Sequence, residues 1–327
     1  MEQPPSADVR EEIEYISTMY QRILEKIGEF VVGNESMIEM LTIGLLAEGH
    51  VLIEGVPGTA KTTLVKVLAH LSGCEFKRVQ CAVDTQPADI LGIRIFDSDQ
   101  KEFMLKKGPI FANVMLIDEI NRITPKTQSA FIEAMSERQV TIDGITFRLP
   151  DPFFCIATQN PFEFEGTFPL IEAQKDRFMM SYQLHYLSRE DELEILRREE
   201  KGELDLEKYY SKLSPVLDHD RIARIIQTLH HIHVSEAILL YIRDLVMATR
   251  SHGDVMLGAS SRASIAIVRG GRAVAAMNNR SYVIPDDIKK LVPWVLQHRL
   301  VLRRESDMGG VTGRQVLDEI LQSIEVQ

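Results

Sequence analysis

The sequence predicts an α/β protein with a doubly wound parallel sheet over residues 1–187 and an all-helical C-terminal domain over 188–327. Three observations carry this. Short apolar runs end abruptly in polar residues, as buried parallel strands do where their C-terminal edge holds a ligand. A Gly/Pro-rich loop joins the first of these runs to a helix. After Ser188 the strand signal fades and apolar residues recur at helical spacing. A chain of 327 residues with 45% apolar content is long enough for two cores.

Taken in order, Val9, Ile13, Ile16, Ile23, Leu24, Ile27 and Phe30 recur at helical spacing and predict an amphipathic first helix packed on the main domain. A turn at Val31-Val32-Gly33 follows, then a helix from about Glu35 to Ala47 with Asn34 at its N-cap. Val51 to Glu54 reads as a strand, Thr62 to Leu71 as a helix and Phe76 to Gln80 as the next strand. A short helix near Thr85 and a hairpin, Ile93 to Phe96 with Glu102 to Lys106, then interrupt the alternation. The strand Val114 to Ile117 runs directly into Asp118 and Glu119. Asp143-Gly144 supplies the positive-φ turn of a second hairpin over 139–149. Strands follow at Phe153 to Thr158, ending at Gln159-Asn160, and at Ser181 to Leu184. Beyond a capping-box start at Ser188, helices are expected at Ser235 to Ser251, Ser261 to Asn278, Pro285 to Arg304 and Thr312 to Ile324.

Composition narrows the function. A net charge of −11 argues against a surface that coats nucleic acid, although the charge is uneven. Residues 1–40 carry nine acidic and three basic side chains, whereas 262–304 carry nine basic and two acidic ones. That asymmetry suits contacts between subunits, an acidic partner, a nucleic acid, or simply a solvated helix face. Cys74, Cys81 and Cys155 have no metal-ligand spacing, which fits a reducing, cytoplasmic setting. No export signal or membrane span is expected. His230, His231 and His233 do not fan around one ion, and a structural or surface role is expected of them. Packing, rather than base stacking, is expected of Phe162, Phe164 and Phe168.

The chemistry centres on the loop Gly55, Val56, Pro57, Gly58, Thr59 and Ala60, with Lys61, Thr62 and Thr63 opening the following helix. Backbone N–H groups of such a loop and of the helix start converge on one point and suit a polyphosphate. Lys61 would reach the β- and γ-phosphates of ATP and Thr62 would ligate Mg²⁺. Ala60 stands where a second Gly is usual, so the backbone there has less access to positive φ. Hydrolysis also needs a second metal contact, a base for water and positive charge against the transferring phosphoryl group. Asp118 is the candidate second Mg²⁺ contact, Glu119 the base, and Asn160 a group that could orient the water. The bland alternative is that these residues only cap strands.

The segments G-V-P-G-T-A-K-T, L-I-D-E-I-N-R, A-T-Q-N-P-F-E-F-E-G-T-F-P-L-I-E-A-Q-K-D-R-F and G-A-S-S-R-A resemble the MoxR family of AAA+ ATPases, from about Val31 to Ala263 and with further helical similarity beyond. The family typically has Ala before the loop Lys, so Ala60 reads as a family trait. Ile171, Lys175 and Ser261 depart from the usual residues. The resemblance implies an AAA+ P-loop core with a helical lid, and an ATPase that remodels protein clients or assists their assembly, commonly with a von Willebrand factor A domain partner. It implies that Val31, Val32 and Gly33 contact the adenine, that Asn160 is sensor 1, that Arg177 is the arginine finger reaching a neighbour's γ-phosphate, and that Arg262 is the lid sensor 2. It also implies that the segment 85–108 and the hairpin 139–149 face a central pore, and that the subunits form a ring, a hexamer. For Arg177 an intrachain salt bridge, and for Arg262 a surface position at a helix start, are the alternatives. A nucleic-acid motor of the helicase-related branch is the alternative function.

Overall fold

The computed structural model describes residues 7–55, 61–161 and 166–326. Val56, Pro57, Gly58, Thr59 and Ala60 of the phosphate loop lie outside the described residues, as do Phe162 and Phe164. The chain opens with helices α1 (Ala7–Gly28) and α2 (Glu35–Leu46), then strand β1 (Val51–Gly55), α3 (Lys61–Leu71) and β2 (Phe76–Gln80). The interruption is α4 (Pro87–Leu91) with the hairpin β3 (Gly92–Asp97) and β4 (Glu102–Lys107). Strand β5 (Val114–Asp118), α5 (Pro125–Glu137), and the hairpin β6 (Gln139–Ile142) and β7 (Ile145–Arg148) come next. Strand β8 (Phe154–Gln159), α6 (Glu172–Lys175) and β9 (Met180–Leu184) complete the α/β part.

The main sheet has five strands in the order β2-β5-β8-β1-β9, and every neighbouring pair is parallel. All five C-termini, Gly55, Gln80, Asp118, Gln159 and Leu184, therefore lie along one edge. The apolar runs alternate between two cores because successive side chains point to opposite faces. Val51, Ile53, Val114, Leu116 and Ile156 join the core built with α1, α2, α3 and the C-terminal helices. Leu52, Met115, Ile117, Cys155 and Ala157 join the core under α4 and α5. Burial on both faces is why these strands read as continuous apolar stretches.

The C-terminal part holds α7 (Arg189–Glu200), α8 (Leu206–Tyr210), α9 (His219–Leu229) and α10 (Glu236–Ser251). Strand β10 (Val255–Leu257), α11 (Ser261–Met277), α12 (Pro285–Leu296), β11 (Val301–Leu302), α13 (Arg304–Met308) and α14 (Gly313–Ser323) follow. Several caps follow the sequence reading. Ser188, Ser235 and Thr312 accept from the backbone of Asp191, Ile238 and Gln315, and Pro285 opens α12. Asp143 and Gly144 have φ of 51° and 78°, the turn that joins β6 to β7.

The C-terminal part is helical as expected, with one short antiparallel pair, β10 and β11, among its helices. Two expectations need correction. The expected helix Pro285 to Arg304 stops at Leu296, because the buried Arg299 guanidinium turns inward to donate to the carbonyls of Val295, Phe178 and Met179. Asn34 holds the N-cap position of α2, as expected, but not through its side chain. Its φ is 65°, and its side chain makes no cap hydrogen bond, so it serves the turn with Gly33 at φ 69°. Among the described residues no helix is long and apolar enough to cross a membrane.

Candidate nucleotide site and arginine face

Each element places one part of the site at the C-terminal edge of the sheet. β1 delivers Gly55, where a Cβ would come within 2.7 Å of the Leu184 carbonyl oxygen on β9, so glycine is required by close approach. The phosphate loop leads into α3, whose first turn holds Lys61, Thr62 and Thr63, all half-buried. The Lys61 amine donates to the Gly55 carbonyl at 3.3 Å. Burial lowers its pKa, opposed by the carboxylates of Asp118 and Glu119, so a cation sits beside two anions in a partly dry cleft.

Asp118 ends β5 and Glu119 turns the chain away from it in a left-handed conformation, φ 60° and ψ 52°. Such a backbone costs a non-glycine residue about 1 kcal/mol and is retained here by specific partners. The Thr158 hydroxyl on β8 accepts from the Glu119 N–H at 2.9 Å and donates to Asp118 Oδ1 at 2.6 Å. Arg78 on β2 donates to Asp118 Oδ2 from Nη2 at 2.6 Å and from Nε at 3.1 Å. Gln80 donates to Glu119 Oε2 at 2.9 Å, and Arg122 Nε lies 3.0 Å from the same oxygen. Thr158, Arg78, Gln80 and Arg122 escaped the sequence reading. Strand register brings them in, pairing Gln80 with Asp118 and Ile117 with Ala157, and no local pattern announces that pairing. Asn160 follows the tip of β8, with its carbonyl accepting from Asn121 Nδ2 at 3.3 Å.

A cavity of about 560 Å³ opens between α1, α2 and α7. Val31, Val32 and Gly33 line it, together with Tyr20, Asp191 and Arg198. A Cβ at Gly33 would press on Asp191 and Leu187 at 3.2 Å, so this turn sits close under the start of α7. Its volume and mixed lining suit a nucleoside.

Arg177 and Arg262 are found elsewhere. Both line a cavity of about 330 Å³ with Glu48, Gly49 and His50, which precede β1, and Met179, which precedes β9. These are the N-terminal ends of the strands, whereas Gly55, Asp118 and Glu119 stand at the C-terminal ends. A five-residue strand separates the two edges by roughly 15 Å. None of Lys61, Asp118 and Glu119 lines the arginine cavity. Arg262, which the resemblance casts as the lid sensor 2, is thus on the opposite edge from Gly55 and Lys61 of its own chain.

The arginine face is rigidly built. Asp176 accepts from Ser260 Oγ at 2.9 and 3.0 Å, from Arg262 Nη1 at 3.2 Å and from Arg299 Nε at 2.9 Å. This ties the segment before β9 to the starts of α11 and β11. Arg177 donates to the Ser136 hydroxyl at 2.9 Å and has no carboxylate partner among the described residues. Of the residues that depart from the family pattern, Lys175 pairs with Glu172 at 3.1 Å, Ser261 opens α11 behind the capping Ser260, and Ile171 is exposed. Among the described residues no cluster of His, Cys, Asp and Glu could hold a metal by itself.

Comparison with known proteins agrees with an α/β domain followed by a lid. Residues 50–180 match the family model described as ATPase family associated with various cellular activities (AAA), and residues 247–320 match an AAA lid domain. The chain is 41% identical to the uncharacterized protein YeaC of Bacillus subtilis, over 93% of this chain and 94% of that one. It is 38% identical to Chaperone MoxR1 of Mycobacterium tuberculosis, over 93% of this chain and 81% of the relative. Protein MoxR of Methylorubrum extorquens is 30% identical, over 88% and 89%. A solved crystal structure from Cytophaga hutchinsonii superposes with a TM-score of 0.89 at 39% identity, covering 97% of both chains.

Proposed function

The chain belongs to the MoxR family of AAA+ ATPases, and from that premise we propose that it is a Mg-ATP-dependent, ring-forming factor that remodels or helps assemble protein clients in the cytoplasm. The observation that carries the ring is the division of charged groups between the two edges of the sheet. One edge has Lys61, Asp118 and Glu119; the other has Arg177 and Arg262. A subunit built this way holds half of a hydrolytic site at each end. Head-to-tail repetition joins the halves, and closure of the repeat gives a ring, here a hexamer.

In this reading the phosphate loop and Lys61 hold the β- and γ-phosphates, and Val31, Val32 and Gly33 hold the adenine side. Thr62 and Asp118 offer a hydroxyl and a carboxylate, hard oxygen donors that fit Mg²⁺. Thr62 and Asp118 would hold the ion, and it would supply positive charge against the charge that develops on phosphoryl transfer. Glu119, oriented by Gln80 and by the Thr158 contact to its backbone, takes the proton of the attacking water, which Asn160 helps to orient. Arg177 and Arg262 of the neighbouring subunit supply the remaining positive charge.

Protein clients are supported by the relative named as a chaperone and by the hairpin β3–β4. That hairpin exposes Ile93, Ile95, Phe96, Phe103 and Met104, an apolar surface suited to polypeptide. A von Willebrand factor A domain protein is the partner we expect.

Mixing two inactive variants tests the shared site. Glu119→Gln and Arg177→Ala should each hydrolyse ATP at least about a hundredfold more slowly than wild type. An equal mixture should recover about a quarter of the wild-type rate, since one pairing in four restores a whole site. A mixture as inactive as its parts, at concentrations where rings form, would refute action in trans. Capture of partners by ATP-loaded Glu119→Gln then tests the client, and an eluate of nucleic acid without protein would overturn that part.

A further inference from the structure

We propose that the groove between α10 and α11 receives helix α7 of a second copy of this chain; this rests on the ring reading above. The groove has a volume of about 440 Å³. Ile242, Val246 and Val268 form its floor, and Leu239, Met247 and Ile265 stand exposed around it. Four arginines surround this apolar surface: Arg243, Arg250, Arg269 and Arg272. Arg269 and Arg272 have no carboxylate partner among the described residues, and the Arg272 Nε is buried without a hydrogen bond. Arg243 pairs with Asp244 at 2.8 Å, and the other three arginines leave an apolar floor with a cationic rim, which calls for a segment of opposite pattern.

Helix α7 has that pattern. It buries none of its twelve residues. Leu193 and Leu196 are 47% and 65% exposed, three residues apart and so on one face. Glu192 and Glu200 are exposed on the same side of the helix, which also carries Arg189 and Arg197, the latter paired with Glu194 at 3.9 Å; over its length the helix has six acidic and three basic side chains. Arg198 ties the inner side of α7 to the Gly28 and Glu29 carbonyls, whereas the leucine side stays exposed, and two leucines on a net-acidic helix are the anchors that a helix-in-groove contact uses.

Position agrees with chemistry. Asp191 and Arg198, on the other side of α7, line the cavity assigned to the adenine. The groove shares Ile265 and Arg269 with the cavity of Arg177 and Arg262. When the arginine face of one subunit meets the nucleotide edge of the next, the groove therefore comes against the outer face of α7. The contact would couple nucleotide to assembly, since α7 borders the bound base on one side and the neighbour on the other.

The test uses the full chain. Leu196→Cys and Met247→Cys variants are purified separately, mixed with Mg-ATP and oxidised with copper phenanthroline in air. The native cysteines are all buried and do not compete. The expected product is a disulfide-linked pair, formed in the mixture and in neither variant alone, with the α7 peptide joined to the α10 peptide. Sedimentation of Leu196→Asp, an exposed position, should show thermal stability unchanged and self-association weakened tenfold or more. If wild type assembles but the cross-link is absent, or Met247→Cys joins another segment or a client protein, the docking is overturned and the ring stands. The docking is equally overturned if Leu196→Asp assembles like wild type. A wild-type chain that stays monomeric with Mg-ATP at every concentration overturns the ring reading and the docking together.

Discussion

The Thr158 hydroxyl joins the two carboxylate residues of the site with one atom. It accepts from the Glu119 N–H and donates to Asp118 Oδ1, so it stabilises the left-handed backbone at Glu119 and the orientation of Asp118 together. Thr158→Val keeps the shape and removes the hydroxyl, leaving a half-buried N–H and a carboxylate oxygen each short of a partner. A loss of about 1–3 kcal/mol in stability is expected. Turnover should drop by at least about tenfold as Glu119, the proposed base, is misplaced, with nucleotide affinity changed much less. Urea denaturation and phosphate release would measure the two effects separately. Glu119→Gln, by contrast, should keep both the fold and ATP binding while turnover nearly vanishes; full turnover would remove Glu119 as the base.

At the scale of elements, His50 fastens the start of β1 to its neighbours. Its Nδ1 accepts from the Cys155 N–H on β8 at 3.1 Å, which leaves Nε2 to donate to the Met135 carbonyl at the end of α5 at 3.0 Å. Burial lowers its pKa to about 4, with the nearby Arg138 acting in the same direction against the Met135 hydrogen bond. The unfolded chain takes up a proton near pH 6.5, whereas the folded chain resists until about pH 4. Stability that His50 contributes above pH 6.5 is therefore lost as pH falls through this window, by at most about 3 kcal/mol. His298, also buried and pushed well below the usual range by burial, adds in the same sense. Unfolding free energy measured at pH 7 and pH 4.5 should differ less in His50→Gln than in wild type. An equal difference in both would show that His50 carries none of it.

At the scale of the whole molecule, two cores share one sheet, and its two edges have different chemistry. Under the proposed action of the arginines from a neighbour, specific ATPase activity should fall on dilution. A rate per subunit that stays constant down to sedimenting monomer would sink this. Arg262→Ala gives a sharper test of position. Its place at the sheet edge opposite Gly55 and Lys61, edges that a five-residue strand separates by roughly 15 Å, predicts unaltered ATP affinity of dilute monomers. Turnover of the assembled protein should still fall at least about tenfold. Weakened binding by monomers would place Arg262 at its own nucleotide instead.

What could be read without coordinates follows from local physics. Apolar runs that stop at Gly55, at Asp118 and at Gln159-Asn160 announce parallel strands with polar tips, because a strand buried on both faces has no other place for a carboxylate. Capping serines and Pro285 mark helix starts because the orphan N–H groups there need partners. The signal failed where the deciding interaction was distant. The inward turn of Arg299 ends α12, and Asp176, 123 residues earlier in the chain, receives its Nε. Thr158 meets Asp118 across 40 residues, through strand order alone. Arg262 looks the same in sequence whichever edge it faces; only the packing of α11 beside the start of β9 decides that. The sequence by itself determined which residue types end each strand and open each helix, since those follow from backbone hydrogen bonding and burial within one segment. The tertiary structure alone decided that the arginines stand at the opposite edge from the carboxylates, because strand order and register bring distant segments together and no single segment encodes them.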